Sequence, residues 1–288
     1  MNRVAVVTGA NSGIGKVTVT ELLRKGYRVI ATARSRERGE AALADWKREM
    51  QDGKVELVLC DLSNLDSVRE AAREIEQRVD RIDVLVNNAG GIIGEHKLTK
   101  EGVEETLAGN HLGPFVLTRA LLPLLERSAP SRIVNVASDA HRSVSDMRWD
   151  DLQFSKGFSS LKAYGQSKLA NILFTRELAR RLQGKQITVN AVHPGVVRTR
   201  FGDTGSAFLR FGVTLLRPFF LDEHKGADTS IWLATDPALE GKTGGYYVKR
   251  KLVTPTKAAE SDAGAKRLWE ISEKLAGAAP TTSAGAAL

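Results

Sequence analysis

Cysteine is almost missing from this chain: Cys60 is the single one in 288 residues. No disulfide can form within the chain, and cysteine usage gives no sign of an oxidising compartment. The five histidines, His96, His111, His141, His193 and His224, lack metal-ligand spacing, so no metal site is expected. Aromatic residues are only 6% of the chain, and Trp46, Trp149, Trp232 and Trp269 read as packing residues rather than a stacking platform. No Gly-x-Ser-x-Gly elbow surrounds any serine, which argues against a serine hydrolase. Internal repeats are absent as well. The most apolar stretch, Phe208 to Leu221, is interrupted by Arg210 and Arg217, too short and too charged to span a bilayer.

What is present is an alternation of strands and helices. With 288 residues, 42% of them hydrophobic, the chain suits one globular domain with a sizeable core. Arg3 to Thr8 is a β-branched apolar run, the mark of a buried strand. It breaks into Gly9-Ala10-Asn11-Ser12-Gly13-Ile14-Gly15, followed by helical spacing over Lys16 to Lys25 and closure at Gly26. A second strand, Tyr27 to Thr32, completes the unit. Glycines at such a turn let backbone N–H groups approach a pyrophosphate at a helix N-terminus. The spacing is Gly-x-x-x-Gly-x-Gly, and in this strand–helix context Gly9, Asn11, Ser12, Gly13, Ile14 and Gly15 read as nucleotide-binding.

The end of the second strand selects the nucleotide. A carboxylate there would accept from a ribose 2′-hydroxyl and repel a 2′-phosphate. Thr32-Ala33-Arg34-Ser35-Arg36 has no acid before Glu37. Arg34 can pair with a 2′-phosphate through charge-assisted bonds, which favours NADP(H) over NAD(H).

Further strands are expected at Val55–Cys60, Ile82–Val86, Arg132–Ala137, Gln186–Val192 and Tyr246–Val248, giving about seven. Alternating strands and helices imply an α/β fold: a doubly wound, mainly parallel sheet with helices on both faces. Ligands in such sheets sit beyond the carboxyl ends of the strands. Asp61-Leu62, Asn87-Asn88-Ala89-Gly90, Ser138 and His193-Pro194-Gly195 all lie at such ends.

Tyr164 and Lys168 are four apart in an expected long helix and so share a face. A free phenol has a pKa of about 10, and bringing it to about 7 takes roughly 4 kcal/mol. A fixed ammonium lowers it, and a second positive charge, such as an oxidised nicotinamide, would help. A phenol so tuned is a general acid/base for an oxygen.

Thr8-Gly9-Ala10-Asn11-Ser12-Gly13-Ile14-Gly15, Asn87-Asn88-Ala89-Gly90, Asn110, Ser138, Tyr164-x-x-Ser167-Lys168 and Pro194-Gly195 resemble, in order, the motifs of the short-chain dehydrogenase/reductase family. The resemblance covers about residues 3 to 275. Asn110-His111-Leu112-Gly113, Ser167 to Gly184 and Arg267-Leu268-Trp269 are similar to the retinol dehydrogenase-like branch. The resemblance implies a single-domain Rossmann fold over residues 1–276, with a substrate lid over about 199–225. It implies a catalytic set of Asn110, Ser138, Tyr164 and Lys168. Tyr164 would exchange the proton and Ser138 would hold the substrate oxygen. Lys168 would hold the nicotinamide ribose and lower the tyrosine pKa, and Asn110 would anchor a water for proton relay. Asp61 and Leu62 would border the adenine, Asn87 and Gly90 the adenosine ribose, and Val197 and Thr199 the carboxamide. Gly91 departs from the pattern, which usually has a larger apolar residue there.

The expected activity is hydride transfer between NADP(H) and a carbonyl or alcohol, with a small, apolar, retinoid-like substrate. Reduction of a carbon–carbon double bond, as in protochlorophyllide reductases, and non-catalytic NADP(H) sensing are the alternatives. The net charge of +8 is spread over helix faces without a nucleic-acid motif, so no nucleic-acid partner is expected. The chain opens on a core strand with no signal peptide or anchor, from which a cytoplasmic enzyme is expected. The family often forms dimers or tetramers, so a homo-oligomer is compatible. Residues 277–288 have little to bury and read as a disordered tail.

Overall fold

One eight-stranded sheet organises the computed structural model, which describes residues 3–50, 53–195 and 222–277. Its strands are β1 (Val4–Val7), β2 (Arg28–Ala33), β3 (Val55–Leu59), β4 (Val84–Asn87), β5 (Ser131–Val136), β6 (Ile187–His193), β7 (Tyr246–Val248) and β8 (Lys251–Leu252). They lie in the order β3-β2-β1-β4-β5-β6-β7-β8. The first seven pair in parallel. The eighth, beyond the seven expected, runs antiparallel to β7. Its two-residue turn is Lys249-Arg250, both at positive φ (48° and 59°). That conformation normally calls for Asn-Gly or a similar pair, so the sequence gives no hairpin signal there.

Period-two alternation sends each strand's side chains into two cores. Val4 and Val6 of β1 join one apolar cluster while Ala5 and Val7 join the other. The second cluster is completed by Val19, Leu22 and Leu23 of α1 (Gly13–Arg24) and Ala42 and Trp46 of α2 (Arg36–Glu49). The first takes Val68, Ala71 and Ile75 of α3 (Leu65–Arg78), whose N-cap is Asn64. A single helical turn, α4 (Glu105–Leu107), leads through a π-helical turn at Ala108–Leu112 into α5 (Gly113–Arg127). The long helix α6 (Ser160–Arg181) packs beside it, followed by α7 (Glu223–Thr235) and α8 (Asp262–Leu275). Trp269 of α8 sits 4.9 Å from the Phe115 ring, with the Arg181 guanidinium 4.2 Å over its own ring.

Because β1 lies between β2 and β4, the winding reverses there and opens a crevice at the carboxyl ends of the strands. Residues 222–225, expected at the end of the lid, instead supply the N-cap Asp222 and first turn of α7. The rest of that segment, with Val197, Thr199 and Phe208 to Leu221, lies outside the described residues, as do residues 278–288 of the expected tail.

Candidate active site

The glycine turn between β1 and α1 is shaped by close approach. Gly9 has φ +62°, and a Cβ there would meet Ala89 Cα at 2.9 Å. At Gly15 a Cβ would fall 2.3 Å from Gly9 O and 2.6 Å from Asn88 Nδ2. The turn is locked to the loop after β4. Thr8 Oγ1 accepts from the amides of Asn88 and Ala89, both at 3.0 Å. Asn88 Nδ2 donates to Thr8 O at 2.9 Å and Gly9 O at 3.3 Å. Thr8 and Asn88 thus build the cradle, a role not assigned from the sequence although both stand in its motifs. Ser12 precedes α1 in extended conformation and its side chain caps nothing. The first-turn N–H groups and the positive end of the helix dipole therefore suit a phosphate.

Ala10 N donates to Thr32 O at 2.9 Å, which sets the turn beside the end of β2 and Arg34. Arg34 is exposed and forms no ion pair among the described residues, whereas Arg36 pairs with Glu40 at 3.4 Å. Asp61 Oδ1 accepts from the amide and hydroxyl of Ser63, at 3.0 and 2.7 Å. Leu62 packs so closely on α5 that a Cβ at Gly113 would lie 2.1 Å from its carbonyl oxygen.

Two of the expected ribose contacts have neighbours that their motif does not reveal. Asn87 is buried, and its Nδ2 donates to Thr118 Oγ1 at 2.9 Å and Asn135 Oδ1 at 2.8 Å. Its side chain is turned into the core as the last residue of β4, so any ribose contact is left to its main chain. Gly90, expected at the adenosine ribose, stands close to the catalytic residues. A Cβ there would be 3.1 Å from both Lys168 Nζ and Asn110 Oδ1.

Helix α6 brings Tyr164 and Lys168 to this end, 8% and 3% exposed. The Tyr164 hydroxyl is hydrogen-bonded to Ser138, whose Oγ also accepts from Ala140 N at 3.1 Å. The contact depends on Gly165, where a Cβ would meet Ser143 Oγ at 2.3 Å and Ala140 O at 2.8 Å. Lys168 Nζ donates to Val136 O at 3.1 Å and lies 5.4 Å from the Tyr164 ring centroid. Asn110, on the π turn, donates from Nδ2 to Gly91 O and Ser167 Oγ, both at 2.9 Å, and accepts from Gly91 N at 2.9 Å. Ser167 Oγ passes on to Tyr164 O at 2.8 Å. The Asn110 side-chain amide is therefore spent on this frame, and a relay water would have to be held by the main chain of the π turn. A Cβ at Gly91 would meet open space, so the glycine departure leaves the frame intact.

Burial pushes the Tyr164 hydroxyl up to about 12, against a smaller downward pull from Ser138. Burial likewise lowers Lys168 to about 8. The expected depression of the phenol is thus not produced by the protein alone, because desolvation of the phenolate dominates. Cys60 is buried and its thiol is pushed up to about 12, which leaves it unreactive. Among the described residues no cluster suits a metal, and no helix is long and apolar enough to cross a membrane.

A short chain dehydrogenase family model matches residues 3–207. The chain belongs to that family. It is 42% identical to retinol dehydrogenase 14 of Homo sapiens, over 96% of this chain and 86% of that one. Retinol dehydrogenase 13 of Homo sapiens is also 42% identical, over 96% and 85% of the two chains. Among solved structures, an uncharacterized protein from Mycobacterium Paratuberculosis superposes with TM-score 0.77 at 35% identity, covering 96% of this chain and 94% of that one. The RhlG/NADP active-site complex of Pseudomonas aeruginosa gives TM-score 0.65 at 28% identity, covering 89% and 96%. The protein is therefore a short chain dehydrogenase of the retinol dehydrogenase-like branch, an oxidoreductase of alcohols and carbonyls that uses a nicotinamide cofactor.

Two outcomes follow for this dehydrogenase. Gly165→Ala forces the Ser138 turn away from α6, and a misplacement of about 1 Å should cut kcat by roughly 100-fold while cofactor affinity is kept. Steady-state kinetics and a cofactor titration check this, and unaltered kcat would show that the contact does not matter. Lys168 falls from 10.5 to about 8 on folding, which at about 1.4 kcal/mol per unit destabilises the protein by on the order of 3 kcal/mol near neutral pH. The unfolded chain holds that proton more tightly, so the penalty is full below about pH 8 and fades as pH rises toward 10.5. Lys168→Met should thus raise Tm near neutral pH while abolishing turnover, since Asn171 Nδ2 still serves Val136 O at 3.2 Å. A lowered Tm would contradict it.

Proposed function

We infer that this dehydrogenase uses NADP(H) to interconvert a lipophilic aldehyde or ketone and its alcohol, retinoid-like compounds included. The carrying observation is the hydroxyl pair of buried Tyr164 and half-buried Ser138 at the mouth of the sheet, beside Lys168 and Gly90. The glycine cradle fits a dinucleotide, since a side chain at Gly9 or Gly15 would fill the space its backbone needs. Arg34, exposed and without an ion pair among the described residues, supports a 2′-phosphate. Solved relatives with NADP and NADPH, the RhlG complex and the actinorhodin polyketide ketoreductase, favour the same choice. Relatives that are named retinol dehydrogenases support a lipophilic substrate.

When bound, the nicotinamide supplies or takes the hydride. The protein's own residues manage the oxygen. Ser138 holds it by hydrogen bonding and stabilises its developing charge. Tyr164 gives it a proton in reduction, or takes one in oxidation. Lys168 holds the ribose hydroxyls and adds positive charge near the phenol. Burial of both groups keeps water from competing for these bonds.

A panel of aldehydes, ketones and alcohols, followed through the absorbance of the reduced nicotinamide, tests the reading. Turnover is expected with NADPH or NADP+ on apolar members, and none across the panel would refute it. Tyr164→Phe should lose turnover while NADPH affinity stays within a few-fold, and full activity would remove the tyrosine from its role. Arg34→Ala should weaken NADPH by roughly 10- to 100-fold, the worth of one charge-assisted hydrogen bond, with little effect on NADH. Equal losses for both cofactors would show that Arg34 does not read the phosphate.

A further inference from the structure

A single peptide group, Ser138 C=O to Asp139 N–H, is held from both ends by imidazole rings. His141 Nδ1 lies 2.7 Å from the Ser138 carbonyl oxygen, and Asp139 N–H donates to His193 Nδ1 at 3.3 Å. The rings must take opposite roles. His141 donates through Nδ1, and its Nε2 accepts from the Thr256 amide at 3.3 Å, so one neutral tautomer serves both bonds. His193 accepts through Nδ1, while its Nε2 faces Asp139 Oδ2 at 3.4 Å, which calls for the other neutral tautomer. His141 is 0% exposed and His193 9%, so water does not readily replace either ring. The Asp139 carboxylate is tethered further by the Tyr246 hydroxyl at 3.0 Å and Arg142 Nε at 3.3 Å.

The grip bears on Ser138 through its own backbone. Rotation of this peptide plane is a change in ψ of Ser138, and it would displace Ala140 N–H, whose bond to Ser138 Oγ fixes the hydroxyl beside Tyr164. We propose that neutral His193 is a positioning residue that fixes the plane of the Ser138–Asp139 peptide, and that its protonation frees the plane and switches the site off in acid. This rests on the reading that Ser138 holds the substrate oxygen.

A protonated His193 would set an N–H against the Asp139 N–H, two donors face to face. Burial opposes that charge most strongly, and His141, Arg142 and Lys249 oppose it too, whereas the Asp139 carboxylate favours it. The net effect is a His193 pKa below the ordinary 6.5. The clamp is therefore intact at neutral pH and is lost as pH falls below that value. Burial pushes the Asp139 carboxyl up, but its contacts with His193, Tyr246 and Arg142 together outweigh this and hold it below the ordinary carboxylate range, so it does not change charge in this window.

Two readouts on the wild type, His193→Gln and His193→Leu test the clamp. One is the pH dependence of kcat. The other is the Asp139 amide shift by NMR against the titration of the His193 ring, which needs no substrate. In the wild type the Asp139 amide should move with the ring, and kcat should fall reversibly in the same pH range. His193→Gln retains an acceptor and a donor without titrating. It should keep kcat within about threefold near pH 8 and move the acid limb down by about one unit or more. His193→Leu, lacking the acceptor, should lower kcat by about tenfold near pH 8 without raising KM for NADPH. An Asp139 amide indifferent to the ring, or a His193→Gln acid limb superimposed on that of the wild type, would overturn the clamp. An amide that follows the ring in a protein without turnover would count against the oxidoreductase reading instead and leave the clamp standing.

Discussion

The contact of α6 with the turn that follows Ser138 governs the chemistry of this protein. A phenol on a helix and a hydroxyl at a strand end have no reason to meet unless the two backbones close to within a side chain's width. Gly165 permits this, because any Cβ there would strike Ala140 O and Ser143 Oγ. The same helix carries Lys168 and Ser167 on to Val136 O and Asn110. Asn110 holds both backbone groups of Gly91, so one glycine position on α6 and one asparagine on a π turn fix the geometry of four functional side chains. A π turn is a common device at functional sites, and here it aims the Asn110 side chain at the frame.

The site is held together against its own electrostatics. A tyrosine and a lysine are buried where neither is comfortable charged, the phenol raised to about 12 and the ammonium lowered to about 8. The two apolar layers of the core, continued by α8 and the Trp269 cluster, supply the stability that tolerates this. A poised but unactivated tyrosine follows. The protein places the phenol and the ammonium, while the charge that favours the phenolate must come with the bound cofactor.

How much of this was legible in the sequence depends on the range of the interaction. The strands and the glycine turn are written in local patterns, and the structure reproduces the strands within a residue or two. The inward turn of the Asn87 side chain is not written in its motif, because it is set by Thr118 and Asn135, distant in the chain. The eighth strand gives no local signal because its turn uses Lys249 and Arg250 in conformations that rarely suit them. Thr8, Asn88, Ser167 and Gly165 stood inside recognised motifs, yet their roles are set by atoms far along the chain. The histidines show the limit most clearly. His193 meets Asp139 across 54 positions and His141 meets Thr256 across 115, and no spacing rule reaches that far.

This chain holds Tyr164 ready but leaves its activation to the nicotinamide. The direct measurement is a phenolate absorbance titration of the wild type minus the Tyr164→Phe protein, with and without NADP+. No Tyr164 phenolate should form up to about pH 10 in the protein alone, and the midpoint should fall by about 1–3 units once NADP+ is bound, the shift expected of a nearby opposite charge. A Tyr164 that ionises near neutral pH without cofactor, or a midpoint that NADP+ leaves in place, would contradict it.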